Sequence, residues 1–508
     1  MKECFFGDRI VLSSEMKDIE SRAALRGDSA SILMDRAGYA IAEILLSFEP
    51  SYVYLLVGCG NNGGDAFTAG IELIKRGVKV LAISLYPIAS GSSLCKERRE
   101  KFLLAGGSIC ALDHEKSFSF SEVGVIVDGI VGTGFKGVPD SMMERVISLA
   151  NASGMPIVAI DIPSGLHGDT GDVPGICIRA DATIYLGRPK WGFFLGQGYE
   201  YIGLLKKGEI GLKDEDDIAS SKSACLFDSK GWKEELPHFS RTQHKYARGY
   251  LTIVAGSLSM AGAAILCSHA AFRAGCGIVR LFHDRSMKES TASNFPELIK
   301  TPLTSTVACI KEVNDKAQAL VIGPGWGRGF FVALRFKKII KKVKKPLLID
   351  ADGLYLLGKK GLIPPKQAIL TPHHGELAYL IERAKGVEGK PLFDLVQAYV
   401  DRHEVMILLK GAPTIFFEKD KAPLIMPLGN RGMATAGSGD VLSGIIGGLL
   451  AQGMSPRYAA IVGAHVHGEA GQLAKKEKGE RSLMASDLLN TLSQVYTQTT
   501  SKVGQETG

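Results

Sequence analysis

Runs rich in Val, Ile and Leu recur along the 508-residue chain, each followed by a stretch of helical periodicity. The first set is YVYLLVG (52–58), VKVLAISLY (78–86), VGVIVDGI (123–130), PIVAIDIPSG (156–165) and DATIYLG (181–187). The second is YLTIVAG (250–256), GIVRLFH (277–283), ALVIGPG (319–325), PLLIDADG (346–353), QAILTPHHGE (367–376) and VMILLKG (405–411). Apolar strands that alternate with helices build parallel sheets covered on both faces, so the expected fold class is α/β. A polar, charged stretch from 206 leads into residues of no clear period before YLTIVAG, which places a domain boundary near 212–225. The expected domains are 1–215 and 225–500. Residues 14–48 read as helix, with Ile19, Ala23, Ile32, Met34, Ala37, Ile41 and Ile44 as its buried stripe. A second apolar helical stretch follows at 441–473, and 497–508 is expected to fray.

Composition narrows the function classes. Apolar residues make up 45% and charged residues 22%, which excludes disorder as the main state. The net charge of +7 is mild for this length. Its one dense basic run, KKIIKKVKK (337–345), has apolar residues inside it and reads as a solvated helix face, so no nucleic-acid partner is expected. Nine cysteines without a C-x-x-C pair suit a reducing compartment. With no signal-peptide pattern and no apolar run long enough to span a bilayer, a cytoplasmic location without a membrane partner is expected. Glycine is in excess, 60 residues or about 12% against a usual ~7%.

Part of that excess sits where chemistry is expected. VGCGNNGGDA (57–66) contains Gly58-x-Gly60-x-x-Gly63 between a strand and a helix, the setting in which backbone N–H groups meet a phosphate. The acid that a dinucleotide fold places at the end of its second strand is missing, since that strand ends Ser84-Leu85-Tyr86-Pro87, which disfavours an ordinary dehydrogenase. Three loops converge at the same sheet edge: Asn61–Asp65, Asp128 with Gly132–Val138, and Asp161–Gly165. Amide, carboxylate and hydroxyl oxygens there suit an alkali or alkaline-earth cation. In the second half, Ala436-Gly437-Ser438-Gly439-Asp440 runs into an apolar helix, an anion hole for a transferring phosphoryl group. Asp440 lies where it can accept a hydroxyl proton. Lys410–Thr414 offers a cation and exposed backbone to nucleotide phosphates, and Asp350 and Asp352 are structural or magnesium-directed carboxylates. His465 and His467, two apart on one helix, face different sides and read as packing residues.

NNGGD, VDGIVGTGFKG and DIPSGL, in this order and spacing, resemble the NAD(P)H-hydrate epimerase domain over about residues 10–211. HKYARGYLTIVAGSLSMAGAA, VIGPGWG, DADGL, TPHHGEL, LLKGAPT and GMATAGSGD resemble the ADP-dependent NAD(P)H-hydrate dehydratases of the ribokinase-like superfamily over about 225–495. The resemblance implies an N-terminal Rossmann-like three-layer sandwich and a C-terminal ribokinase-like three-layer α/β domain. It also implies a bifunctional enzyme acting on hydrated NADH and NADPH, with ADP as phosphoryl donor giving AMP and phosphate.

Carried over, Asn61, Asn62, Gly63, Gly64, Asp65, Gly132, Thr133, Gly134, Phe135, Lys136, Gly137 and Val138 would hold the hydrate. Asn62, Asp128 and Ser164 would ligate potassium, and Asp161 would act on the reacting part of the substrate. In the second domain Ala263, Gly325, His373 and His374 would meet the hydrate. Lys410, Gly411, Ala412, Pro413, Thr414, Gly437, Ser438 and Gly439 would bind the nucleotide with magnesium, and Asp440 would be catalytic. Arg36, Ala66, His374 and Ser438 stand where the family usually carries Asn, Gly, Pro and Thr. A homo-oligomer is implied by the same resemblance. Two other readings stay open: a ribokinase-like kinase of a small vitamin precursor, and a non-catalytic ligand-binding or scaffold role for the N-terminal domain.

Overall fold

The computed structural model describes residues 5–112, 118–217, 223–287, 295–381 and 392–497. The chain divides into two compact units, one formed by Asp8–Ser223 and the other by the residues up to Gly7 together with those from Ala224 onward. Residues 498–508, expected to fray, lie outside the described residues. No helix among the described residues is long and apolar enough to cross a membrane.

The first strand, β1 (Phe6–Arg9), precedes the sheet of the N-terminal unit. That sheet comprises β2 (Tyr52–Val57), β3 (Lys79–Ser84), β4 (Ser108–Ala111), β5 (Val125–Gly129), β6 (Ile157–Ile160), β7 (Ala182–Leu186) and β8 (Leu204–Gly208). Their order is β4-β3-β2-β5-β6-β7-β8, and every pairing is parallel. Strand alternation sends Val53, Leu55 and Val57 to one core and Tyr54 and Leu56 to another. The first core packs against the helices Ala30–Leu46 and Asn61–Lys75, the second against Ser141–Ala152. This is the expected three-layer arrangement. Between β2 and β5 the strand order reverses, which opens a crevice at the carboxyl ends of those strands.

The single helix expected over 14–48 is two helices, Ser13–Leu25 and Ala30–Leu46. Gly27 turns the chain at φ +108°, and Ser29 caps the second helix by accepting from the Ile32 amide. The break rotates the stripe. Ile19, Ala23, Met34, Ala37 and Ile41 are buried, but Ile32 falls in the first turn of the new helix and is exposed.

The C-terminal unit holds β9 (Cys225–Phe227), β10 (Tyr250–Val254), β11 (Ile278–His283), β12 (Ile299–Pro302), β13 (Ala319–Ile322), β14 (Leu347–Ile349), β15 (Ile369–Leu370), β16 (Met406–Leu409), β17 (Thr414–Phe417) and β18 (Leu424–Met426). With β1 they form one sheet in the order β1-β9-β18-β17-β16-β15-β14-β13-β10-β11-β12. From β16 to β12 all pairs are parallel, and β17 is antiparallel to both neighbours. Helix Ser438–Ala451 lies against helix Ala261–Arg273 and the sheet. A Cβ on Gly444 would stand 2.1 Å from the Cys267 carbonyl, and one on Gly447 would stand 2.4 Å from Val321. Its small residues therefore serve packing as well as the loop before them. The basic run lies mostly on helix Phe330–Lys342, with Ile339 and Ile340 buried and Lys337, Lys338, Lys341 and Lys342 exposed.

Candidate active sites of the two units

A cavity of about 760 Å³ occupies the crevice of the N-terminal unit. Its walls include Gly60–Asn62 after β2, Ile130–Phe135 after β5 and Asp161 after β6. Gly58 permits this geometry, because a Cβ there would lie 1.8 Å from the Ile130 carbonyl oxygen. The NNGGD segment is the first turn and a half of helix Asn61–Lys75 rather than a free loop. Asn61, Asn62 and Asp65 reach the cavity wall, whereas Gly63 packs on the Gly58 carbonyl and Gly64 on Met34. Gly132, Thr133, Gly134 and Phe135 line the cavity, while Lys136, Gly137 and Val138 are exposed and outside its lining.

Asp161 stands in this wall in left-handed backbone, φ +62°, a conformation that costs a non-glycine residue about 1 kcal/mol or more. Its Oδ1 accepts a 2.6 Å bond from Lys190 Nζ, and that lysine side chain is only 1% exposed. Lys190 also donates to the Leu186 carbonyl, which fixes the ammonium over the carboxylate. No sequence motif singles out Lys190. Its signal is a cation between Pro189 and Trp191, two residues after Arg188 and four past the end of β7.

Beneath the cavity lies the oxygen set. Asp128 is fully buried; one carboxylate oxygen accepts from the Ser164 hydroxyl at 2.6 Å and the Ile130 amide, the other from the Ser164 amide at 2.7 Å. Burial pushes the Asp128 carboxyl up to about 6 despite the Ser164 bonds. Asn62 donates to the carbonyls of Val131 and Ile160, and its buried Oδ1 has no hydrogen-bond partner among the described residues. An orphaned amide oxygen costs desolvation with no return, and together with a buried carboxylate and a hydroxyl it fits a weakly hydrated monovalent cation. Ala66 is absorbed by Gly129, whose missing side chain leaves room for the methyl. Arg36 points elsewhere, bonding Asp28 and the Ile210 carbonyl.

In the C-terminal unit Gly437 caps helix Ser438–Ala451 in left-handed backbone at φ +91°. Ser438 N bonds the Thr435 carbonyl and Val441 N bonds that of Gly437, which leaves the amides of Gly439 and Asp440 for a ligand. Lys410 Nζ is 2.8 Å from Asp350 and 3.6 Å from Glu376, and 3.3 Å from where a Gly439 Cβ would stand. Burial disfavours the charge on Lys410, yet Asp350 and Glu376 outweigh it and hold the ammonium above the usual lysine range. Burial, reinforced by the charge of Asp350 and opposed by Lys410, pushes Asp440 up to about 7. A base poised there suits proton transfer near neutral pH.

Several candidates meet at neighbouring strand ends. Gly325, at φ +55°, abuts Ala263, where a Cβ would approach to 3.0 Å. His373 Nδ1 accepts from the amides of Gly375 and Glu376 and so caps helix His374–Ile381. The ring of His374 lies over Gly411, 2.9 Å from a Cβ there, and thus beside the KGAPT segment. Ser438 contacts His467, whose burial lowers its pKa to about 4. His465 faces away and packs on Phe227 and Trp232. The carboxylates after β14 are committed. Asp350 is held by Lys410 and Ser443, and Asp352 by Arg328 and the Gly327 amide. Among the described residues no three His, Cys, Asp or Glu side chains cluster to hold a metal.

Residues 251–494 match the family described as NAD(P)H-hydrate dehydratase, and residues 30–192 match the YjeF-related protein N-terminus family. The bifunctional NAD(P)H-hydrate repair enzyme of Moorella thermoacetica is 32% identical over 506 residues, covering 95% of this chain and 96% of its own. That of Escherichia coli is 35% identical over 475 residues, covering 91% and 89%. The ADP/ATP-dependent NAD(P)H-hydrate dehydratase of Bacillus subtilis, a solved structure, aligns with TM-score 0.47 at 25% identity, covering 53% of this chain and 96% of its own. Likeness to the Moorella thermoacetica and Escherichia coli enzymes over 95% and 91% of the chain, through both α/β units, leads to one assignment. The chain belongs to the family of bifunctional NAD(P)H-hydrate repair enzymes.

Proposed function

We propose that the N-terminal unit interconverts the R and S hydrates of NADH and NADPH. The C-terminal unit then dehydrates the S form at the expense of ADP, giving AMP and phosphate. The observation that carries this reading is Asp440, a carboxylate tuned near neutrality at the open end of a helix beside Lys410. Asp440 takes the proton from the hydrate hydroxyl as that oxygen attacks the terminal phosphoryl group of ADP, with AMP as leaving group. The amides of Gly439 and Asp440 receive the charge that develops on the phosphoryl oxygens. Lys410 and the backbone of Gly411–Thr414 hold the nucleotide. Hydroxide is a poor leaving group and phosphate a good one. The ring nitrogen's electron pair expels phosphate, and loss of the neighbouring carbon's proton restores the ring double bond. Magnesium would enter with the nucleotide, as part of the substrate.

In the N-terminal unit the amides at the start of helix Asn61–Lys75 face the substrate's phosphates, and Asp161 acts on the hydroxyl of the hydrated ring. Potassium, held by Asn62, Asp128 and Ser164, would supply positive charge beneath the 131–135 wall.

The test incubates purified protein with mixed hydrate epimers plus ADP or ATP and follows recovery of NAD(P)H absorbance. Consumption of both epimers faster than they interconvert unaided is expected. Consumption of one epimer leaves the N-terminal unit as a binder. No recovery with either nucleotide, alongside phosphorylation of a vitamin alcohol, overturns the dehydratase reading.

A further inference from the structure

The phosphoryl site of the C-terminal unit is assembled from two stretches of chain that are not neighbours in sequence. Lys410 follows β16, and the amides of Gly439 and Asp440 open helix Ser438–Ala451. Lysine is a flexible stem with a strongly hydrated point charge at its tip, so its ammonium meets a reacting group reproducibly only where other groups hold it. Both ends of the Lys410 side chain are held. Its backbone amide donates to the Pro372 carbonyl at 2.7 Å, and its Nζ donates to Asp350 Oδ1 at 2.8 Å.

Asp350 is itself fixed. It is only 1% exposed, its amide donates to the Ile322 carbonyl, and its Oδ2 accepts from the Ser443 hydroxyl at 2.7 Å. Ser443 is fully buried and lies one turn beyond Asp440 on the same helix. Lys410, Asp350 and Ser443 thus form a continuous path from β16, through the end of β14, to the helix that carries both the amides and the base. At the near end of that path, Lys410 Nζ stands 3.3 Å from where a Gly439 Cβ would be. Glu376 offers the ammonium a second carboxylate, but it is farther, at 3.6 Å, and bonds the His373 amide rather than the helix.

Resting on the dehydratase reading, we infer that Asp350 and Ser443 are positioning residues of the phosphoryl transfer. The carboxylate, locked by the hydroxyl, sets the Lys410 ammonium at the distance from Gly439 and Asp440 that the transferring group needs. Both act through Lys410, and neither exchanges a proton in the reaction.

The experiment measures ADP-driven dehydration of pure S hydrate by the full-length protein, with AMP binding followed by calorimetry. Asp350→Asn and Ser443→Ala change shape little, and Ser443→Ala keeps every charge, so it carries the test alone where Asp350→Asn does not fold. With Asp350→Asn kcat is expected to fall about 10²-fold, and with Ser443→Ala about tenfold. KM for the hydrate and the affinity for AMP, which lacks the transferred group, are expected to stay as in the wild type. Because the hydroxyl acts only through the carboxylate, the double variant is expected to be no slower than Asp350→Asn alone. Wild-type kcat in Ser443→Ala overturns the inference. So do losses that multiply in the double variant, or AMP binding that weakens as much as turnover. An Asp350→Asn defect that added magnesium repairs makes the carboxylate a metal ligand and overturns it too. A wild-type protein that recovers no NAD(P)H from S hydrate with ADP or ATP instead overturns the dehydratase reading itself.

Discussion

Lys190 Nζ sits 2.6 Å from Asp161 Oδ1, pairing an almost fully buried cation with a carboxylate at the cavity wall. Removing one member of a buried pair strands the other, typically at a cost of about 3–5 kcal/mol. Lys190→Met is therefore expected to lower the melting temperature of the N-terminal unit. It is also expected to cut epimerisation at pH 7 at least tenfold, because the Asp161 carboxylate loses the 2.6 Å bond that orients it. Calorimetry and the R-to-S assay check both outcomes.

Asp440 gives a pH dependence of definite sign. As a base it must be ionised, so dehydration is expected to rise with pH through a midpoint near 7 and to level off above it. Asp440→Asn is expected to lose about 10²–10⁴-fold in kcat and to show no such limb.

The same carboxyl costs stability. Its folded pKa lies above the unfolded value, so between about pH 4 and 7 the native state binds more protons and stability falls as pH rises. Asp440→Asn is expected to stabilise the C-terminal unit by about 2–4 kcal/mol at pH 8, with the gain vanishing towards pH 4. Denaturant titrations at the two pH values test it.

Asn62 predicts a cation effect. Replacing tetramethylammonium by potassium is expected to raise the melting temperature of the N-terminal unit in proportion to the logarithm of its concentration. Asn62→Ala is expected to melt lower, through lost bonds to Val131 and Ile160, and to show no potassium increment.

The adjacent histidines are expected to separate. His373→Ala removes a helix cap worth about 1 kcal/mol and should show mainly in stability. His374→Ala removes a ring lying over Gly411 and should raise KM for the nucleotide with little change in melting.

The central strands and both glycine turns were legible because buried parallel strands are unbroken apolar runs and because glycine marks close backbone approach. Strands at or next to the sheet edges were not. LLKKG at 204–208, IKTP at 299–302 and CLF at 225–227 are short or half polar, and only pairing with a neighbour makes them strands. Within the sites, residue type pointed to Asp161, Asp128 and Asp440. Lys190 carries no motif. It reaches Asp161 behind the cavity wall only through the path of the chain after β7. Sequence pattern also could not tell a glycine that lines a cavity from one beneath it, as with Gly60 and Gly63.

Phe5 is buried in the core of the C-terminal unit, and β1 lies on the edge of its sheet beside β9. Residues 10–224 are therefore synthesised between two neighbouring strands of one sheet. On the ribosome the N-terminal unit has everything it needs to fold early, while the residues made before it wait for partners made after it. Severing the gene near residue 223 would not yield two complete proteins. The second fragment would begin at an uncovered β9, with a row of unpaired amides and carbonyls inviting the wrong neighbour. Fusion in this chain is thus a matter of shared architecture, beyond the convenience of keeping two activities together.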